Sequence, residues 1–290
     1  SMNLCDFETI RALLGRYGFR FSKSMGQNFL IDGNVPRDIA ASSGAAEGCG
    51  VLEIGPGVGA LTAQLSRLAE KVVSVELDRS LLPVLQETLA DCPNVEIVSG
   101  DVMRLDLAAL VAEKFGGLRP MVCANLPYNI TTPVLTRIID AHCFTSVTVM
   151  IQREVAKRIC AAPGTSDFGS FSLYMQYYTE PELLFDVPPT CFYPAPHVTS
   201  SVLHCRLREK PPVETVDEAF FFRTMRAGFA LRRKTLANSL ASTFAASLDK
   251  ETIQAVIAAC GLPADVRGER LGLQDYATLS ALLLEKMPTP

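Results

Sequence analysis

Five short apolar segments recur along the first half of the chain, and they limit the possible folds more than any other feature of the sequence. Each has five to seven residues, most are rich in valine and isoleucine, and segments with helix-spaced leucines and alanines lie between them. The five are 50–54, 71–77, 95–99, 121–125 and 146–151. Such segments are typical of parallel strands buried on both faces. Their alternation with helices predicts a Rossmann-like, doubly wound, mainly parallel α/β sheet.

Two later apolar runs, 182–187 and 200–207, flank a proline-rich stretch. We expect them to form an antiparallel pair at the edge of the sheet. A charged segment with two prolines, 208–215, is typical of a linker, and only helical patterns follow it. The 290 residues therefore predict two unequal domains, an α/β domain over 1–210 and a small all-helical domain over 211–290.

The net charge of −4 argues against a protein that coats nucleic acid indiscriminately. Two local runs differ from this average: 9–31 carries four basic residues and 223–234 carries five, and neither contains an acid. Taken alone, each run could be a solvated helix face. Two of them in an acidic chain suggest a negatively charged partner.

The nine cysteines form no CxxC pair and no pattern with histidine that would indicate zinc, so we expect reduced core residues and no metal site. We expect neither a signal peptide nor an apolar segment long enough to cross a membrane. A cytoplasmic location without membrane association is the expectation.

A glycine-rich stretch, 52–62, follows the first predicted strand and places Gly55, Gly57 and Gly59 before a helix. Glycine permits a positive φ and lets a ligand approach the backbone closely. Glu76 ends the next strand, 21 residues after Gly55, where a carboxylate can accept hydrogen bonds from ribose hydroxyls. Since Gly55, Gly57 and Ala60 also satisfy the dinucleotide fingerprint, this motif alone leaves a nicotinamide cofactor possible.

The third strand favours a different cofactor, because Asp101 directly follows it and could accept a hydrogen bond from an adenine amino group. By itself Asp101 would more often be a turn residue or a helix cap. A dehydrogenase usually has a histidine, or a tyrosine with lysine four residues on, as its proton carrier. The chain has three histidines and none of its seven tyrosines has that lysine. The pair Glu76 and Asp101 therefore favours a cofactor that contains adenosine.

The stretch Ala-Asn-Leu-Pro-Tyr, 124–128, ends the fourth strand, at the sheet edge where ligands of such folds bind. An adenine amino nitrogen is a poor nucleophile because its lone pair is delocalised into the ring. Asn125 and the Leu126 carbonyl, restricted by Pro127, could accept both of its hydrogens and direct the lone pair at an electrophilic methyl group. Tyr128 could stack on the base, which is worth roughly 1 to 3 kcal/mol. The alternative is an ordinary proline turn with a half-buried tyrosine.

With these motifs together, the sequence resembles the bacterial rRNA adenine N6,N6-dimethyltransferases, class I methyltransferases that use S-adenosylmethionine. The matching stretches span almost the whole chain and are 26–30, 52–62, 76–78, 100–101, 125–130, 152–159, 187–198 and 231–240. The resemblance implies dimethylation of two adjacent adenines near the 3′ end of 16S rRNA, within ribosome biogenesis. It also implies that Asn28 and Leu30 contact the cofactor, and that Phe192 stacks opposite Tyr128 around an extruded base. Without the resemblance, Phe192 would be a loop aromatic packed on the sheet.

The basic runs gain a role from this resemblance. Arg232, Arg233 and Lys234 in the helical domain, and Lys23 in the N-terminal arm, are predicted to contact rRNA phosphates, which position the RNA without reading its sequence. The expected partner is 16S rRNA in the immature 30S subunit, and nothing in the sequence demands a dimer, so we expect a monomer. His197 stands where this family usually has lysine, which removes a charge near the RNA.

Two alternatives remain open at this point. One is the macrolide-resistance branch of the same enzymes, which modifies 23S rRNA. The other is a protein that keeps the fold but lacks the reaction, such as a ribosome-assembly factor or a mitochondrial transcription partner. The intact 125–128 stretch, with Glu76 and Asp101, argues against a loss of catalysis.

Overall fold

The computed structural model describes residues 2–19 and 27–289, so the predicted RNA contact Lys23 lies outside the described residues. The strands found in these ranges are β1 (Phe29–Leu30), β2 (Cys49–Ile54), β3 (Lys71–Glu76), β4 (Val95–Ser99), β5 (Arg119–Asn125), β6 (Ser146–Gln152), β7 (Thr179–Val187), β8 (Phe192–Tyr193) and β9 (Ser200–Leu207). The α-helices are α1 (Phe7–Arg16), α2 (Asn34–Ser42), α3 (Ala60–Leu68), α4 (Leu82–Thr88), α5 (Leu107–Phe115), α6 (Thr131–Asp140), α7 (Arg153–Cys160), α8 (Ser170–Tyr178), α9 (Glu218–Phe229), α10 (Leu236–Phe244), α11 (Lys250–Ala259) and α12 (Leu273–Lys286).

The main sheet has seven strands in the order β4-β3-β2-β5-β6-β9-β7. The five predicted strands form its parallel part, β4 to β6, and helices connect them. All six residues of β2 are buried, as expected for a central strand covered on both faces. The predicted doubly wound, mainly parallel sheet is confirmed, and its polar strand ends all lie at one edge.

The two later runs also form strands, and they lie side by side at one end of the sheet as β9 and β7. In addition, β9 pairs antiparallel with β6, from Ser146 opposite Arg206 to Gln152 opposite Ser200. A second, two-stranded sheet was not expected from the sequence; in it β1 and β8 pair antiparallel, with Leu30 opposite Phe192. This small sheet ties the segment after the N-terminal arm to the loop between β7 and β9.

The chain divides into two compact units. The first consists of Ser1–Ala156 and Pro181–Leu207 and contains the parallel sheet, while the second consists of Lys157–Glu180 and Arg208–Pro290. The helical unit thus begins close to the predicted boundary at 210, but it also includes 157–180, which that single boundary assigns to the first domain. The reason is packing, because Phe168, Leu173 and Tyr177 are buried in one cluster with residues of α9 to α12.

Three helices of the second unit, α9, α10 and α11, begin at side chains that cap their free backbone N–H groups. Asp217 accepts a hydrogen bond from the Phe220 N–H at the start of α9, and Thr235 accepts one from Asn238 at the start of α10. Buried residues of α9 include Phe220, Phe221 and Phe222. Within the described ranges, no helix is both long and apolar enough to cross a membrane.

Candidate active site

A tight turn of three glycines joins β2 to α3. Gly55, Gly57 and Gly59 have φ values of 69°, 62° and 95°, in the left-handed region that residues with a Cβ rarely adopt. A Cβ at Gly57 would lie 3.4 Å from the Phe29 ring, and one at Gly59 would lie 3.0 Å from Leu89. The turn therefore needs glycine at all three positions for its conformation and, at Gly59, also for space.

Glu76, at the end of β3, is held against this turn. Only 5% of its surface is exposed. One carboxylate oxygen accepts a hydrogen bond from the Gly57 N–H at 3.3 Å, and the other accepts one from the Asp78 N–H at 2.9 Å. Burial raises the pKa of Glu76, and the backbone hydrogen bonds oppose that rise. The carboxylate is thus fixed in orientation beside the glycine backbone.

Asp101 follows β4, the neighbouring strand. The Gly100 N–H donates to the Glu76 carbonyl at 3.0 Å, so the two acids stand on adjacent strand ends. The Asp101 Oδ1 atom accepts a hydrogen bond from the Met103 N–H at 2.9 Å. Its other oxygen lies 3.8 Å from the exposed Arg104 guanidinium, and solvent screens this contact.

Asn125 ends β5, where it pairs with Met150 of β6, and the chain then turns through Leu126, Pro127 and Tyr128. The Leu126 N–H donates to the Met150 carbonyl at 3.2 Å, which continues the strand pairing by one residue. Among the described residues, neither the Asn125 amide nor the Leu126 carbonyl has a hydrogen-bond partner. Two acceptors are therefore available side by side at the end of the strand.

Tyr128 is half-buried, and its hydroxyl forms a hydrogen bond with the hydroxyl of Ser200, a fully buried residue of β9. The Thr131 hydroxyl donates to the Pro127 carbonyl at 3.2 Å and fixes the turn from the side of α6. Burial raises the pKa of Tyr128, so the hydroxyl is protonated at neutral pH. Hydrogen bonds thus hold this turn at the Tyr128 hydroxyl and at the Pro127 carbonyl.

These elements surround one cleft at the carboxyl ends of the parallel strands, with a cavity of about 200 Å³. Most of the predicted site residues line it, namely Asn28, Leu30, Gly55, Gly57, Glu76, Asp101, Asn125, Leu126, Pro127, Tyr128 and Phe192. Gly59 does not line the cleft, since it is the N-cap of α3 behind the turn. Arg232, Arg233 and Lys234 belong to the second unit, where they are exposed in the turn that precedes α10.

The small sheet of β1 and β8 forms one wall of the cleft. Asn28 donates a hydrogen bond from its amide to the Pro194 carbonyl, and Leu30 pairs with Phe192. Phe192 is only 3% exposed and packs in the apolar cluster that contains Leu30 and Val35. It is therefore packed on the fold and lines the cleft as well.

Two polar residues of the cleft wall, Glu53 and Gln27, were not predicted from the sequence. Glu53 in β2 is fully buried, and its carboxylate accepts hydrogen bonds from the hydroxyls of Thr62 (2.5 Å) and Ser74 (2.7 Å). Burial raises its pKa to about 7. The signal was present, because an acid within a buried apolar strand needs a reason.

Gln27 is the second missed residue. Its amide nitrogen donates to Asp78 at 3.2 Å, while its carbonyl oxygen is buried without a partner among the described residues. Its position directly before Asn28 could have drawn attention to it.

Within 2–19 and 27–289, no group of three potential metal ligands occurs.

An open, mainly parallel sheet with a cleft at its carboxyl edge, and with acids on two neighbouring strand ends beside a glycine turn, has the architecture of the class I methyltransferases. Solved structures of similar fold agree. A dimethyladenosine transferase from Plasmodium falciparum matches with a TM-score of 0.74 and 21% identity over 89% of this chain and 98% of that one. The 23S rRNA methyltransferase ErmE matches with a TM-score of 0.67 and 23% identity over 88% and 99%.

Similarity in sequence is more specific. The family model described as "Ribosomal RNA adenine dimethylase" matches residues 18–262, and the chain belongs to this family. Two curated relatives, each named "Ribosomal RNA small subunit methyltransferase A", come from Geobacillus thermodenitrificans and Alkaliphilus oremlandii. They are 46% and 42% identical, over 94% and 96% of both chains. The predicted family, the enzyme class and S-adenosylmethionine as the methyl donor are thus confirmed.

Proposed function

We propose that this enzyme transfers methyl groups from S-adenosylmethionine to N6 of two adjacent adenines near the 3′ end of 16S rRNA, two to each base, in the immature 30S subunit. The observation that carries the proposal is the pair of acceptors without a partner at Asn125 and Leu126 among the described residues, beside the cleft at the carboxyl ends of the strands. The small-subunit assignment is supported by identities of 42% and 46% over nearly whole chains. A monomer in the cytoplasm, where ribosomes assemble, fits this function.

The cleft fits the adenosine part of the methyl donor. The Glu76 carboxylate, fixed by two backbone N–H groups, would accept from ribose hydroxyls, and Asp101 would accept from the adenine amino group. The glycine turn admits a ligand close to its backbone, because Gly55 and Gly57 have no side chain in the way. The unpartnered Gln27 oxygen also fits, since a buried acceptor without a partner is rare unless a ligand or water supplies one. Asn28 and Leu30 would complete this wall.

The bound donor supplies an electrophilic methyl group, and the residues at the end of β5 prepare the nucleophile. The Asn125 Oδ1 atom and the Leu126 carbonyl would accept the two hydrogens of the target amino group, which localises the nitrogen lone pair and directs it into the cleft. As the nitrogen–carbon bond forms, the carbon–sulfur bond of the donor would break and leave S-adenosylhomocysteine, and the methylated nitrogen can then release a proton to water. A strong general base is therefore unnecessary.

The target base must leave its own stack to reach this point, as with other enzymes that modify bases. Tyr128 would stack on one face of the extruded adenine. Phe192, which also lines the cleft, would contact the other face. In the second unit, the exposed Arg232, Arg233 and Lys234 would contact rRNA phosphates, with Lys23 of the N-terminal arm. The helical unit would in this way serve as the RNA-contacting domain predicted for 211–290.

Incubation with labelled S-adenosylmethionine and undermethylated 30S particles, followed by mapping of dimethyladenosine, tests the proposal. We expect label on two neighbouring adenines near the 3′ end of 16S rRNA, and little label on protein-free 16S rRNA. Label on 23S rRNA instead would support the macrolide-resistance branch. Binding to particles without any methyl transfer would support a non-catalytic assembly factor.

A further inference from the structure

The turn that carries Asp101 has backbone groups that its own residues cannot satisfy. The Asp101 carbonyl accepts from the N–H groups of Arg104 (2.9 Å) and Leu105 (3.1 Å), so 101–105 forms one tight turn after β4. Within the described ranges, neither the Val102 carbonyl nor the Leu105 carbonyl accepts a hydrogen bond from a backbone N–H. A buried or half-buried carbonyl without a donor is costly, and a loop of this kind would otherwise open towards water.

A single side chain from α6 satisfies both carbonyls. The Arg137 Nε atom donates to the Val102 carbonyl at 3.1 Å, and its Nη2 atom donates to the Leu105 carbonyl. Apart from Arg137, no donor within the described ranges reaches either carbonyl. Because the guanidinium is a rigid planar fork, the two bonds fix the spacing between the ends of the turn, which a lysine could not do.

Helix α6 is itself well anchored, so Arg137 is not a loose surface side chain. The helix buries Val134, Leu135, Ile138 and Ile139. The helix also begins directly after the turn at 125–130, to which it is tied through Thr131 and Pro127. One rigid element therefore connects the proposed base-binding turn with the proposed adenine-binding turn, across 32 and 35 residues of sequence.

We propose that Arg137 is a positioning residue of the cofactor site. By holding the Val102 and Leu105 carbonyls it keeps the Asp101 carboxylate aimed into the cleft, and so contributes to affinity and to selectivity for the adenine amino group. Val102, the residue directly after Asp101, lines the cleft and is only 5% exposed. The inference rests on the proposed function, in which Asp101 accepts from that amino group.

The first experiment compares Arg137→Met with Lys71→Met. Lys71 is a matched control, because its ammonium donates to the Lys114 carbonyl at 2.8 Å at the opposite edge of the same sheet. Calorimetric titration gives the Kd of S-adenosylhomocysteine and of an analogue with hydrogen in place of the adenine amino group. For Arg137→Met we expect about tenfold weaker binding of the first ligand and little change for the second. For Lys71→Met we expect no change in either.

Equal weakening for both ligands would overturn the proposal, because it would indicate general damage to the cleft. Should Arg137→Met fail to fold, Arg137→Lys replaces it. That variant can reach only one carbonyl, so a smaller loss confined to the amino-bearing ligand is expected, and unchanged binding would count against the proposal.

A double-mutant cycle separates this inference from the function on which it rests. If Arg137 acts through Asp101, the variant with both Arg137→Met and Asp101→Ala binds S-adenosylhomocysteine as weakly as Asp101→Ala alone. Losses that simply add would overturn the positioning role and leave the proposed function intact. Unchanged binding by Asp101→Ala would instead remove Asp101 from the proposed cofactor site.

Discussion

The core of the first unit is built mainly on aliphatic strands, whereas the core of the second contains a cluster of aromatic rings among its aliphatic residues. In the parallel sheet, valine, isoleucine and leucine fill the strand interiors, and the polar groups gather where strands end, as Glu76 and Asn125 do. In the helical unit, the ring centroids of Tyr177 lie 5.3 Å from Phe221 and 4.9 Å from Phe222. Apart from Glu53, the acidic and amide side chains of the cleft thus lie at or beyond the ends of strands. In the second unit, a substitution that adds even a small side chain beside these rings should disturb the packing of the core.

The largest effect on function should come from Asn125→Ala in the first unit. We expect methyl transfer to fall by about 10³-fold, because one acceptor for the target amino group is lost. The fold should be unaffected, since the Asn125 amide has no hydrogen bond within the described part of the chain. Single-turnover rates with 30S particles measure the loss. Asn34→Ala is the control, an exposed amide outside the cleft for which the rate should not change.

The largest effect on stability should come from Gly228→Ala in the second unit. A Cβ at Gly228 would lie 2.4 Å from the Tyr276 hydroxyl, whose bond to the Gly268 carbonyl is buried. Overpacking of this kind lowers the free energy of unfolding by about 2 kcal/mol. Gly15→Ala in α1 is the matched control, because a Cβ there meets nothing within 4 Å. That change should stabilise the helix slightly.

Thermal unfolding and binding of S-adenosylhomocysteine distinguish the two units in these variants. Gly228→Ala should lower Tm while the Kd stays as in the parent protein. If instead the Kd rises in step with the fall in Tm, the cleft depends on the packing of the second unit and the contrast between the units is wrong.

Most of the parallel sheet and most of the residues that line its cleft could be predicted from the sequence. Short apolar segments set the strands, and the carboxyl ends of parallel strands share one edge, so Glu76, Asp101 and Asn125 had to lie close together. The pairing of β1 with β8 could not be predicted. Two-residue strands have no periodicity, and their register depends on folding elsewhere. The contacts of Arg137 with the carbonyls of Val102 and Leu105 likewise could not be predicted, because every residue type has a backbone carbonyl.

The assignment of 157–180 to the helical unit was missed for a related reason. A single boundary follows chain order, whereas the packing of Phe168, Leu173 and Tyr177 joins distant segments. Helix periodicity shows that a segment has an apolar face, but not which partner covers that face.

Glu53 is a carboxylic acid within the mainly aliphatic core of the first unit. The variant Glu53→Gln tests how its ionisation affects stability. Burial raises the carboxyl pKa from 4.5 to about 7, so the folded protein binds the proton more tightly than the unfolded chain. The stability that Glu53 contributes should therefore fall as pH rises from 4.5 through 7. Glutamine keeps an oxygen for Thr62 and Ser74 and has no such dependence.

Denaturant unfolding at pH 5.5 and pH 8 measures this effect. Relative to the parent protein, Glu53→Gln should gain on the order of 2 kcal/mol between the two pH values. A constant difference between the proteins at both pH values would show that the carboxyl is ionised in the fold throughout.

The smallest effect concerns the bond between Tyr128 and Ser200, where a core strand supports the proposed stacking ring. Ser200→Ala and Tyr128→Phe each delete one partner and keep the ring, so each should lower kcat by about threefold to tenfold. The double variant should lose no more than either single one, because all three lack the same bond. Ser201→Ala is the matched control, an equally buried hydroxyl whose bond goes to Asp186 at 2.7 Å. A comparable fall in kcat for Ser201→Ala would mean that β9 is only a structural support, and that the ring needs no fixed hydroxyl.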